Sequence, residues 1–254
     1  MTVKELAYHI TPLGELTLRR RTETALQGKE VFEVKLGDEF LMSSLFIEAE
    51  EQLAELGLSG LEGQLEVVVG GLGLGYTAAA VLENPRVKNL LVIDLFQEVI
   101  DWHRTGLVPL GKILSSDDRC ELRQGDFFEL AKTGFDEQDT GRIFDAVLLD
   151  IDHSPEHFLD SQNSDFYSVK GLTSLRNQIK KGGSFAIWSN DPASDIFTSH
   201  LRSIFDEAVA HNIEFPNPYT GSTSFNSVYV ARNVLGAGST ILPDSSLQPR
   251  SLPT

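Results

Sequence analysis

The sequence predicts an α/β fold in which a seven-stranded, mostly parallel sheet carries helices on both faces and follows a small N-terminal β cap. Three observations carry this expectation. Short apolar runs suited to buried strands, such as Val67-Val68-Val69 and Leu90-Leu91-Val92-Ile93, alternate with segments of helical period. The first of these runs continues into Gly70-Gly71-Leu72-Gly73-Leu74-Gly75 and then into a strong helix former, the strand–loop–helix unit with which open α/β folds hold a nucleotide. Acids stand at or just beyond the ends of three strands: Asp94, Asp126 and Asp150.

The elements follow in order. From Ile10 to Leu41 the alternation of Leu16 and Leu18, and of Val31, Val34 and Leu36, with turns at Gly14, Gly28 and Gly37, predicts a small antiparallel sheet. Within it, Arg19-Arg20-Arg21 reads as a solvated strand edge rather than an anion site. Between Ser43 and Leu56 the period becomes helical, with Leu45, Ala49, Leu53 and Leu56 on one face, the glutamates elsewhere, and Gly57 placed to stop the helix. Core strands are expected at Glu66–Val69, Leu90–Asp94, Cys120–Arg123, Phe144–Asp150 and Ser184–Trp188, the last after a turn at Gly182-Gly183. Helices are expected at Tyr76–Glu83, Gln97–Arg104, Leu172–Ile179 and Ile196–Ala210, with loops through Asp117-Asp118 and Asp136–Asp139. Glu214-Phe215 and Ser227–Ala231 read as the closing strands. The organisation is thus a cap over residues 1–42, a main domain over 43–232, and a flexible Gly-, Ser- and Pro-rich tail over 233–254.

Composition excludes several classes. The formal net charge of −16 argues against a nucleic-acid partner, which requires concentrated Lys and Arg to displace counterions. A single cysteine, Cys120, permits no intrachain disulfide and spells out no cysteine zinc site. No window approaches the roughly 20 apolar residues of a membrane span, so a soluble, cytoplasmic protein is the expectation.

Ligands of such sheets lie across the carboxyl ends of the strands. Gly71, Gly73 and Gly75 lack Cβ atoms and let the backbone approach a ligand. Asp94, 19 residues after Gly75, is placed to accept hydrogen bonds from ribose hydroxyls, with Leu95 beside it; the competing reading is a helix cap. Asp126, in Gly125-Asp126-Phe127-Phe128, suits an adenine amine, with Phe127 against the base, and here too a cap is the alternative. Asp150, Asp152 and His153, in Asp150-Ile151-Asp152-His153-Ser154-Pro155, could bind a cationic amine or deprotonate a nucleophile; the alternative is a polar turn. No metal is expected, because nothing fixes a geometry for His153, His157 and the acids. Trp102 and His103 read as helix packing and helix surface.

This ordered set resembles the class I S-adenosylmethionine-type transferase fold, a Rossmann-like architecture, and within it the spermidine synthase (polyamine aminopropyltransferase) group. The resemblance covers about residues 30 to 232 and rests on the glycine loop, Val92–Ile100, Gly125–Phe128 and Phe144–Pro155, with Gly37-Asp38-Glu39-Phe40 similar to that group's cap. It implies that Gly71 and Gly73 line the aminoacyl and ribose side, that Asp94 binds ribose and Asp126 adenine, and that Asp150 matches the first acid of an Asp-Ser-Ser-Asp-Pro motif that positions or deprotonates the attacking amine. Departures fall in the amine half. Leu72 and Leu74 replace the loop acid, Met42-Ser43-Ser44 stands for Tyr-His-Glu, the second motif acid becomes Asp152-His153, Trp188 replaces a glutamine, and Gly221-Ser222-Thr223 replaces Gly-x-Trp.

A flexible polycation needs several spaced carboxylates. Their loss favours a spermidine-synthase-like transferase that binds S-adenosylmethionine or a close relative and moves a methyl group to a small-molecule acceptor. The alternatives are a divergent polyamine aminopropyltransferase using decarboxylated S-adenosylmethionine, an NAD(P) enzyme reading Gly73-x-Gly75-x-x-Ala78 as its fingerprint, and a non-catalytic nucleoside-binding protein. The exposed cap could support a homodimer.

Overall fold

The computed structural model describes residues 2–136, 138–139 and 141–234. Four strands open the chain, β1 (Thr2–Thr11), β2 (Gly14–Glu23), β3 (Lys29–Leu36) and β4 (Glu39–Ser43), as one antiparallel sheet in sequential order. Leu16, Leu18, Val31, Val34 and Leu36 are its buried residues. Strand β1 escapes a reading by alternation because it is an edge strand exposed along most of its length, Val3 and Ile10 included. The arginine run is not an edge, since β2 is paired on both sides. Arg19 and Arg21 each donate through Nε to opposite oxygens of Glu33, at 2.6 and 2.7 Å, and Arg20 pairs with Glu30. Arg21 also reaches the Tyr219 hydroxyl, tying the cap to the far end of the chain.

Helix α1 (Glu48–Leu58) lays Ala49, Glu50, Leu53, Ala54 and Gly57 against the sheet. Gly57 does not stop it. A Cβ there would lie 2.4 Å from Leu148 Cδ2 and 3.3 Å from Ala186 Cβ, so this glycine lets the helix approach the sheet, and the left-handed turn falls at Gly60.

The main sheet comprises β5 (Leu65–Gly70), β6 (Val87–Asp94), β7 (Cys120–Gln124), β8 (Phe144–Leu149), β9 (Ile179–Ser189), β10 (Glu207–Asn217) and β11 (Ser222–Arg232). Its order is β10-β11-β9-β8-β5-β6-β7, parallel from β7 to β9 and antiparallel through β11 and β10. Helices α2 (Tyr76–Glu83), α3 (Gln97–Thr105), α4 (Gly111–Ser116), α5 (Phe127–Thr133), α6 (Val169–Arg176) and α7 (Asp195–Arg202) complete it. Period-two alternation divides the core: Val67, Val69, Leu90 and Val92 join the face under α1 and the cap, while Val68, Leu91 and Ile93 join the aromatic face with Phe127, Phe166 and Phe185.

Three expectations change. The short helices α4 and α5 occupy segments for which the sequence predicts no helix, although a cap at Asp126 is the alternative reading there, because one or two turns leave little period to detect. The helix expected to reach Ala210 ends at Arg202, and Glu207–Ala210 instead pair with Tyr229–Arg232, a ladder that overrides local propensity. Gly182-Gly183 lies within β9, where Gly182 at φ +83° accompanies a register shift opposite β8. Of the expected tail, Asn233 is buried against Arg176 and Ile179, and 235–254 lie outside the described residues.

Gly57→Val should lower stability by about 1–3 kcal/mol through overpacking of Leu148 and Ala186. Urea denaturation checks this, and an unchanged or raised midpoint would refute the packing role of Gly57.

Candidate functional site

From β5 the chain runs outward to β6 and β7 and returns to β8 on the other side of β5, so the connections that leave the adjacent carboxyl ends of β5 and β8 lead away in opposite directions. A crevice opens at such a switch point. The Asp150 amide donates to Gly70 O at 2.8 Å, and a Cβ on Gly71 (φ +94°) would lie 2.1 Å from the Asp150 carbonyl oxygen. Only glycine fits there. Gly73 is also left-handed, at φ +47°, and a Cβ on it would meet Met42 Sδ at 2.4 Å. Gly71 and Gly73 line the cleft; Gly75 does not, and instead begins α2 packed on Leu114 and His103.

Two groups hold the loop from below. Asp94, 9% exposed, accepts from the Leu72 amide on Oδ2 and from the Phe96 amide on Oδ1, both at 2.9 Å. Burial raises its pKa, and these amides oppose the rise. His103 is fully buried rather than on a helix surface; its Nε2 lies 3.0 Å from Gly73 O, and burial lowers its pKa. On the cleft side, Met42 Sδ accepts from the Leu74 amide at 3.0 Å.

Leu95, 44% exposed, and Asp126 line the same cleft. Asp126 caps α5, with Oδ1 accepting from Phe128 and Glu129, so both bonds leave Oδ2 uncommitted. Phe127 also lines the cleft, yet its ring is wedged under Gly70 and packed on Phe135 and Phe166, which makes it floor rather than a free stacking face.

Asp150 stands at the centre. Its Oδ2 accepts from the Thr77 hydroxyl at 2.7 Å, and burial pushes its pKa up to about 6 against that bond. Glu50 of α1 lines the same cleft and is 7% exposed; burial, and then the charge of Asp150, hold its pKa well above the usual carboxylate range. The two carboxyls titrate as a pair. His153 borders both this cleft and a smaller cavity with Glu39, His157 and Asp191, and its Nε2 lies 3.3 Å from Glu39. Asp152 turns away from the cleft. It accepts from the Leu159 amide, the Asn163 side chain and the Tyr167 hydroxyl, and so anchors the segment after β8. Among the described residues no group of three or more His, Cys, Asp or Glu is arranged to hold a metal, and no helix is long and apolar enough to cross a membrane.

Glu50 and Thr77 are thus site residues that the sequence reading passed over, while His103 and Met42, read there as helix surface and as part of a departure from a motif, support the loop. For Glu50 a signal existed, since Leu53, Ala54 and Gly57 follow it at i+3, i+4 and i+7, the spacing of a buried stripe.

No family model matches the sequence. The chain is 23% identical over 181 residues to a polyamine aminopropyltransferase of Oceanobacillus iheyensis, covering 70% of this chain and 33% of that one. It is 30% identical over 142 residues to one of Nitrosomonas europaea, covering 55% and 40%. It superposes on a spermidine synthase in complex with the transition state analogue AdoDATO (TM-score 0.70, 15% identity) and on that of Thermotoga maritima (0.70, 14%), each over 91% of this chain and 74% of the other. The chain is similar to the spermidine-synthase-like group in sequence and in fold. Its architecture is the Rossmann-like fold of those two structures, preceded by an antiparallel β cap. The matches span one third to two fifths of the curated relatives' lengths.

The folded protein keeps the Asp150 proton up to about pH 6, whereas an unfolded aspartate releases it near 3.8, so folding takes up a proton between those values and stability falls as pH rises across them. Asp150→Asn should therefore be more stable than the wild type by about 1–3 kcal/mol at about pH 7.5 and lose that advantage near pH 4. Denaturation midpoints at the two pH values check this; a destabilised variant at the higher pH would contradict it.

Proposed function

We propose that this chain is an aminopropyltransferase of the spermidine-synthase-like kind, which takes decarboxylated S-adenosylmethionine as donor and a small amine as acceptor. The observation that carries the reading is Asp150, a half-buried carboxylate held by Thr77 beside the glycine loop, with a pKa raised to about 6 by desolvation. A base of that strength can take a proton from an amine at neutral pH and still be largely ionised beforehand. The relatives support it, since both curated proteins are named for polyamine aminopropyl transfer. Methyl transfer, the favoured expectation from the sequence, gives way to its alternative.

The chain's residues fit a nucleoside donor. Gly71 and Gly73 leave open a backbone cradle, Asp94, whose two oxygens each hold a loop amide, borders the cleft at the end of β6 where the resemblance places the ribose, and Asp126 keeps Oδ2 free for an adenine amine. The donor supplies a sulfonium whose aminopropyl carbon is electrophilic. Asp150 would receive the proton that frees the acceptor's lone pair; nitrogen then bonds to that carbon, the carbon–sulfur bond breaks, and sulfur keeps the electron pair as a neutral thioether. The remaining contribution is orientation, holding nitrogen in line with the breaking bond.

Incubation with decarboxylated S-adenosylmethionine and an amine should yield methylthioadenosine, and Asp150→Asn should lower kcat by about 10²- to 10⁴-fold. Formation of S-adenosylhomocysteine from S-adenosylmethionine, with no methylthioadenosine from its decarboxylated form, would restore methyl transfer. Thermal stabilisation by nucleosides with no turnover of either donor would indicate a binding protein.

A further inference from the structure

We infer that Glu50 is an acceptor-binding residue, forming with Asp150 a two-carboxylate clamp for the protonated nitrogen of the acceptor. The inference rests on the transfer reading above and adds to it a residue that no sequence motif marks. Glu50 is 7% exposed, lines the cleft that holds Asp150, and accepts no hydrogen bond from any other described residue. Among the described residues no cation offsets it: the charged groups that act on it are Asp150, Glu48 and Glu51, and Tyr76 of α2 is a further titratable group beside it. Among the described residues the one lysine along the cleft, Lys132, is bonded to Glu129 at 2.7 Å. A buried carboxyl without a partner is costly unless it is protonated or a ligand brings the missing charge. The crevice also carries Asp94, Asp126 and Asp160, so its field favours a cation throughout.

Two carboxyls also balance the chemistry better than one. An acceptor arrives as R–NH3+, and one carboxylate must take a proton before nitrogen can attack. Once the carbon–nitrogen bond forms and the carbon–sulfur bond breaks, nitrogen is again positively charged. With a single carboxylate that new ammonium would face a neutral acid. With Glu50 and Asp150 together, one holds the proton and the other remains ionised beside the product cation, so the enclosed charge stays balanced at each stage.

The test compares wild type with Glu50→Gln, which keeps the shape of the side chain and removes its charge. Without ligand at about pH 7.5 the variant should melt at the same or a higher temperature, which verifies its fold. Methylthioadenosine should shift the melting temperature of both proteins equally. With methylthioadenosine present, putrescine or n-butylamine should stabilise the wild type and not the variant, and in turnover the acceptor KM of the variant should rise at least tenfold. An amine shift and acceptor KM within twofold of wild type would overturn the role of Glu50, as would the absence of any amine-induced shift in the wild type. An amine shift that the variant loses, without turnover in the wild type, would uphold Glu50 as an ammonium site and refute aminopropyl transfer.

Discussion

The contact on which the site depends is the approach of Gly71 to the backbone of Asp150, where a Cβ would come within 2.1 Å of a carbonyl oxygen. It joins the ends of two neighbouring parallel strands at the point where the chain reverses its direction of travel through the sheet. Because the obstacle is backbone, no rotamer change can relieve it. The loop that would hold a nucleoside and the carboxylate that would receive a proton are therefore one rigid unit, braced by the hydrogen bond from the Asp150 amide to Gly70.

The rest of the loop is fixed by groups remote in sequence. Asp94 binds the Leu72 amide, His103 binds the Gly73 carbonyl, and Met42 of the cap sits on the outer side against Leu74. Each meets a backbone group that a tight loop would otherwise leave unpaired, and an unpaired buried group costs about 1–3 kcal/mol. The cap is thus part of the site: β4 supplies Met42, and the arginine–glutamate ladder of β2 and β3 holds the sheet that carries it.

The cleft pays in stability for its acidity. Asp94, Asp150 and Glu50 all have raised pKa values for the same reason, desolvation, but they are compensated differently. Asp94 has two amides and Asp150 a hydroxyl, while Glu50 has neither. This graded compensation separates a carboxylate that shapes the loop from one with a single hydroxyl partner and one with no partner from another described residue. The cleft thus holds, beside Asp150, an acid carried on α1 that none of the replaced motif residues announced.

The sequence by itself determined the sheet, the glycine loop and the acids at its strand ends, because strand burial imposes period two and a left-handed turn imposes glycine wherever they occur. The strands under Val67–Val69 and Leu90–Ile93, helix α2, and the positions of Asp94 and Asp150 were all legible locally. Strand β1, helices α4 and α5 and the boundary between α7 and β10 were not, because exposed edges and helices of less than two turns leave little period and strand pairing overrides propensity. Only the tertiary structure decided that Phe127 is floor, that Asp152 anchors a segment behind the cleft, that His103 supports the loop, and that Glu50 faces Asp150. A residue's chemistry is written in its own side chain, but its burial and its partner are set by packing between elements far apart in the chain, and those two quantities move a carboxylate from the solvent to the centre of a site.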